Sequence, residues 1–256
     1  MKNNFEKNGF IILKNAIDKD LLKQLKQVVT GSNKTEYKFF ISKVKKNKKK
    51  LYDFVNEFHK IYLFKEIYKK ILLKPKVYNS LTFLLGSDLA HHEDPSLTIN
   101  ISNLGSNKKN YLFKKWHQEL WSGASTSTIA LWTPIFLPKD CEGQIEFIPG
   151  SHLWGHIPHK NREPIYLPKN FKVFKTSIEE GDVILFHSLL LHKTSEIKSK
   201  NYDARLALIT HVRNFKYYNS SFDNNKSWRI FSLSELTKIE KKLGNHYLSP
   251  FRLIES

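Results

Sequence analysis

One cysteine, one methionine and no long apolar run are the first things this 256-residue chain withholds. The single thiol, Cys141, excludes an internal disulfide and any metal site built from several thiolates. The absence of about 18 consecutive apolar residues excludes a helical membrane span. The opening Met1-Lys2-Asn3-Asn4-Phe5-Glu6-Lys7 lacks the apolar stretch of a secretory signal, so the cytoplasm is the expected address. Acidic residues are also scarce, 24 against 42 basic ones, for a formal net charge of +18.

Such a charge attracts nucleic acid, anionic surfaces or acidic small molecules. The lysines and asparagines are spread along the whole chain, however. The densest run, Lys43 to Lys50, reads as a solvated linker. No stretch alternates arginine with exposed aromatics as a nucleic-acid platform does, so no nucleic-acid role is expected. An anionic small-molecule substrate fits the charge better. Nothing in the pattern specifies an oligomeric state.

What is present is enough for a sizeable core: 40% of residues are hydrophobic and 13% aromatic. A single domain is expected over 1–256, in three stretches. Residues 1 to about 86 are largely helical by apolar spacing, apart from a short strand-like run at 10–13. Asp18 caps a helix carrying Leu21, Leu22, Leu25, Val28 and Val29 and stopping at Gly31; a second stripe runs from Leu51 towards Pro75. From about 97 to 212 short strands alternate with Gly/Pro turns, the clearest at 97–101, 128–137, 144–148, 183–187 and 205–212. That pattern favours a sandwich or barrel, with jelly roll among the candidates. A helical tail is expected over about 220–256, with Ser232 and Glu235 as a capping box, Leu236, Ile239 and Leu243 as its stripe, and Gly244 as its stop.

Three residues within the β stretch can hold a metal. His117 and Glu119 stand two apart, and on a strand both project to one face, with Gln118 pointing away. His192 follows where a strand ends. Two histidines and a carboxylate occupy one face of an octahedral Fe(II) and leave three positions for a co-substrate and oxygen. His187 competes with His192, but alternation from Val183 and Leu185 gives it a buried structural role instead. His152, His156 and His159 form another cluster without a carboxylate at ligand spacing, and read as structure or site wall. Arg205 shares a strand face with Ala207, Ile209 and His211. If that face is interior, the arginine needs an anion, because an unpaired buried charge costs several kcal/mol. A dicarboxylate provides one, bidentately.

The order of these motifs resembles the phytanoyl-CoA dioxygenase family of Fe(II)/2-oxoglutarate-dependent oxygenases. The resemblance rests on Phe5 to Leu13, on Trp116-His117-Gln118-Glu119, on Gly143 to His152 with its Pro149-Gly150-Ser151-His152 turn, and on Gly181-Asp182 through His192 to Arg205. It implies a mainly β fold with flanking helices, a double-stranded β-helix (jelly roll, cupin-like) core. It also implies that His117, Glu119 and His192 hold iron and that Arg205 binds the distal carboxylate of 2-oxoglutarate, with Thr194 assisting. Asn100 matches a polar position near the inner carboxylate, with Thr98 and Ser102 as same-face substitutes. The chain departs from the family in having Glu119 where aspartate is usual, one methylene or about 1.5 Å longer. Retention of a carboxylate argues against a halogenase.

The expected activity is hydroxylation of a C–H bond in a small, anionic-compatible metabolite, with dioxygen and 2-oxoglutarate as co-substrates. Desaturation, epimerisation and ring closure use the same site. The rival readings are a cupin-like metalloenzyme that does not use 2-oxoglutarate and a non-catalytic cationic binding protein. The lid is expected from the amino-terminal helices, the loop 120–126 and the segment 156–168.

Overall fold

The computed structural model describes residues 2–47, 50–102, 115–122, 124–138, 143–199, 202–216 and 228–242. Cys141, Leu243 and Gly244 lie outside these residues.

Alternation builds two antiparallel sheets. The larger has seven strands in the order β1 (Phe10–Leu13), β9 (Val183–His187), β4 (Thr128–Phe136), β11 (Ala204–Asn214), β2 (Leu89–His92) and β12 (Trp228–Ser232), with β3 (Ser96–Ile101) also on β11. The smaller runs β10 (His192–Thr194), β5 (Ile145–Phe147), β8 (Phe174–Lys175). A two-stranded hairpin joins β6 (His159–Lys160) to β7 (Glu163–Pro164). Every pairing is antiparallel. The architecture is the expected jelly roll flanked by helices.

The period of two assigns each residue to a core. Ala130 and Trp132, Ile184 and Phe186, and Ala207 and Ile209 meet Ile145 and Phe147 between the sheets. Their strand neighbours Ile129 and Leu131, Val183 and Leu185, and Leu206 and Leu208 turn outward into a larger core beneath the helices. On β4, Pro134 has no N–H for the ladder, and the pairing to β11 skips a residue there, between Ala207↔Pro134 and Leu206↔Phe136. The extra residue falls on β4, so the alternation of β11 stays intact and Arg205 keeps the interior face.

The helical wall is α1 (Lys2–Asn8), α2 (Lys19–Thr30), α3 (Tyr37–Lys46), α4 (Leu51–Asn56), α5 (Tyr62–Leu72) and α6 (Pro75–Leu85). Asp18 accepts a hydrogen bond from Leu21 N at 2.8 Å to start α2, and Gly31 ends it at φ 61°. The stripe from Leu51 is not one helix: a 3-10 turn at Glu57–Lys60 divides α4 from α5, and Ile61 is exposed.

The tail differs from expectation. Trp228–Ser232 is a strand on β2, and among the described residues of the tail the helix is Glu235–Lys242 (α7). The helix is started by Ser234, not Ser232: Ser234 Oγ accepts from Thr237 N at 3.2 Å, while Asp88 accepts from Ser234 N and Oγ. Ser232 instead bonds Tyr78 through its hydroxyl. Strand β2, outside the expected β stretch, supplies the surface on which this segment pairs.

Candidate metal centre

The first motif is not a strand. His117 makes an isolated bridge to His192, with reciprocal backbone hydrogen bonds of 2.9 and 3.0 Å, and Glu119 opens a 3-10 turn, Glu119–Ser122. The two histidines are brought together by that bridge, their ring centroids 4.0 Å apart. Glu119 reaches them by the turn of the backbone rather than by alternation.

The ring nitrogens are oriented from behind. His117 Nδ1 lies 2.7 Å from Lys115 O, and His192 Nδ1 lies 3.0 Å from Leu190 O. A carbonyl only accepts, so both Nδ1 atoms carry the proton and both Nε2 lone pairs face inward. Glu119 Oε1 stands 3.0 Å from His192 Nε2 and 3.5 Å from His117 Nε2. Three lone-pair donors meeting in a space that is 6%, 2% and 3% exposed at His117, Glu119 and His192 repel unless a cation stands between them. Their separations are those of adjacent donors around one ion with bonds of roughly 2.1 Å. The ligand atoms of the three residues lie within 4.8 Å of one another. The donor set, two imidazoles and a carboxylate, is the one that suits non-haem Fe(II).

Arg205 stands beside this cluster on the interior face of β11. It is 2% exposed, its guanidinium lies 5.4 Å from the Trp132 ring centroid, and its Nε makes no hydrogen bond. Burial pushes its pKa down to about 9, leaving it charged at neutral pH. Among the described residues no carboxylate lies within ion-pair distance of it. A buried cation held over an aromatic ring, with part of its donor fork unused, is a receptor for an anion. Thr98, Ile145, Thr194 and Ile209 complete the cavity with Trp132 and the three donors. The open space among these side chains is about 20 Å³, on the order of one water.

The remaining expected residues take other places. Asn100 is fully buried opposite Arg205 in the β3–β11 register, and its amide donates to Ser195 O at 2.8 Å while its Oδ1 makes no hydrogen bond. Thr98, two residues earlier on the same face, is the one in the cavity wall. His187 lies away from the cluster: Leu189 N donates to its Nδ1 at 3.1 Å, and burial lowers its pKa to about 4. Of the second histidine group, His152 bonds Glu6 O at 3.0 Å, and His159 stacks on Trp121 at 4.5 Å, joining two of the segments expected to form the lid.

Two further residues act at the site. Gln118 does point away from the donors, but it is fully buried: its Nε2 donates to Gly155 O (2.9 Å) and Leu189 O (2.7 Å), and its Oε1 accepts from Ile157 N (3.0 Å). His211 Nε2 lies 3.2 Å from Glu119 Oε2. Its even spacing from Arg205 was the only sign of it in the sequence.

A profile of the family described as phytanoyl-CoA dioxygenase matches residues 5–206, and the chain belongs to that family. Among solved structures, the non-heme monooxygenase ThoJ is similar in fold, with a TM-score of 0.66 at 17% identity over 91% of this chain and 84% of that one. The epimerase SnoN, solved with Fe3+, alpha ketoglutarate and nogalamycin RO, gives 0.58 at 12% identity over 87% and 85%. AviO1 from Streptomyces viridochromogenes Tue57 gives 0.52 at 13% over 82% and 92%. No curated protein matches in sequence.

Proposed function

We propose that this chain is an Fe(II)- and 2-oxoglutarate-dependent dioxygenase that hydroxylates a C–H bond of a small, anionic-compatible metabolite. The observation that carries the reading is the buried guanidinium of Arg205, without a carboxylate partner among the described residues, beside the three convergent donors His117, Glu119 and His192. Each element has its own chemical demand, a cation for the donors and an anion for the arginine, and a metal chelated by a dicarboxylate answers both. Family membership and a fold shared with a protein solved with iron and alpha ketoglutarate support the same conclusion.

His117, Glu119 and His192 would hold the iron, and Arg205 and Thr194 would bind the distal carboxylate of 2-oxoglutarate. Bound there, Fe(II) supplies activation of dioxygen coupled to decarboxylation of 2-oxoglutarate to succinate and carbon dioxide. The protein's own part is positional. Lys115 and Leu190 carbonyls set the tautomer of both imidazoles. Trp132 and Ile145, both buried, keep water from the arginine and strengthen its pairing. Gln118 ties the donor motif to the 155–157 segment.

The test is succinate formation from 2-oxoglutarate with iron and air, across acyl-CoA, amino-acid, sugar and secondary-metabolite substrates, with product analysis to separate hydroxylation from epimerisation. Glu119→Ala and His192→Ala should form none. Retained turnover in either variant would overturn the ligand assignment.

A further inference from the structure

Resting on the iron-site reading above, we propose that His211 is a positioning residue that fixes Glu119 as a one-oxygen ligand. Glu119 begins a 3-10 turn, so no strand ladder directs its side chain, and it has one more rotatable bond than aspartate. A free glutamate here can swing away, or offer both oxygens to one ion and occupy a position the co-substrate needs.

The structure restrains both motions from one direction. His211 stands on β11 with Arg205, Ala207 and Ile209 on the interior face, opposite Ala130 of β4, whose small side chain leaves room for the ring. Its Nε2 is 3.2 Å from Glu119 Oε2, while Oε1 of the same carboxylate faces His192 and His117 at 3.0 and 3.5 Å. Among the described residues Glu119 is the only hydrogen-bond partner of the His211 side chain. An N–H donor on Oε2 uses the lone pair that chelation would need, and it sets the carboxylate plane, so that Oε1 alone is presented. An aspartate, shorter by about 1.5 Å, reaches less far from the same backbone towards His211 and the imidazoles. His211 and the longer acid therefore belong together.

The experiment titrates Co(II) into the full chain under argon, by calorimetry and by visible absorption, for the wild type, His211→Phe, His211→Gln, Glu119→Asp and the His211→Phe/Glu119→Asp pair. Thermal melting of the metal-free proteins accompanies each. His211→Phe should weaken Co(II) binding roughly tenfold or more and shift the cobalt bands, with melting unchanged. His211→Gln, which keeps an N–H donor, should recover most of both. In the Glu119→Asp background His211→Phe should change affinity less than about twofold, the signature of coupling between the two side chains. Equal losses in both backgrounds, or no loss and no spectral shift in His211→Phe, would overturn the proposal. Wild type that takes up no cobalt, or takes it up as well after His192→Ala, would overturn the iron-site reading and this proposal together. Wild-type uptake with an uncoupled His211 would overturn this proposal alone.

Discussion

Of the histidine pairs that lie close together, two have opposite uses. His117 and His192 stand 4.0 Å apart with a carboxylate at their inner nitrogens and backbone carbonyls at their outer ones. His152 and His187 stand 5.4 Å apart, and among the described residues no acid pairs with either ring. Burial is the largest influence on that second pair and pushes both pKa values down, His187 to about 4. Burial makes a histidine neutral and structural; burial beside an acid, with the ring held from behind, suits it to the ligand role proposed above. The second pair still matters to the fold. A side chain at Gly9 would meet His152 at 2.5 Å, and Gly9 O accepts from His187 N at 2.9 Å, so the pair seats the amino-terminal segment.

The strongest way to break this contrast is to exchange the losses. His192→Ala should reduce succinate formation to background and abolish metal uptake, whereas His187→Gln should retain metal at the wild-type level. Calorimetric titration with Fe(II) or Co(II) measures both, and metal loss in His187→Gln would erase the distinction. Next in size is Arg205→Gln, which removes the proposed anion receptor without touching the donors. The apparent affinity for 2-oxoglutarate should fall by roughly 2–5 kcal/mol, with metal uptake in its absence unchanged. An unaltered KM for 2-oxoglutarate would remove the arginine from the site.

Acid sharpens the comparison further. His187 is neutral in the fold and binds a proton more readily when unfolded, its pKa being about 4 in place of 6.5. Its contribution is therefore complete above about pH 6.5 and is lost as pH falls towards 4, a change of about 3 kcal/mol. His91, likewise pushed down to about 4 by burial, adds the same dependence elsewhere, so the wild type must be compared with His187→Phe. Urea unfolding of the metal-free proteins at several pH values should show a shallower acid loss in the variant; parallel curves would show that His187 does not carry it. The smallest expected effect is at Thr194. Its replacement by valine removes one hydroxyl from the cavity and should raise the KM for 2-oxoglutarate by about fivefold, near 1 kcal/mol.

The sequence carried these features unevenly. The long strands were legible because their alternation is strict: β11 sends Leu206 and Leu208 one way and Ala207 and Ile209 the other. Strands β2 and β12 were not. Leu89–His92 and Trp228–Ser232 are short, and each is specified by its partner across the sheet more than by its own pattern. The four residues of the site were legible by type and order, yet the strand geometry used to bring His117 and Glu119 together was wrong: a bridge to His192 and a 3-10 turn do that work. His211 was visible only as a member of Arg205's face, since its contact with Glu119 joins positions 92 residues apart. Gln118 looked idle because a buried amide's partners are backbone groups, which no side-chain pattern announces.

That amide links matters usually kept separate. One side chain, placed between two of the proposed metal donors, grips Gly155, Ile157 and Leu189 at once. Remodelling the 155–157 segment would pull on anchors that also steady the donor motif. Loop exchanges that leave Gly155 and Ile157 in register should be free to diversify, and those that shift them should loosen the metal before they ever change what is oxidised.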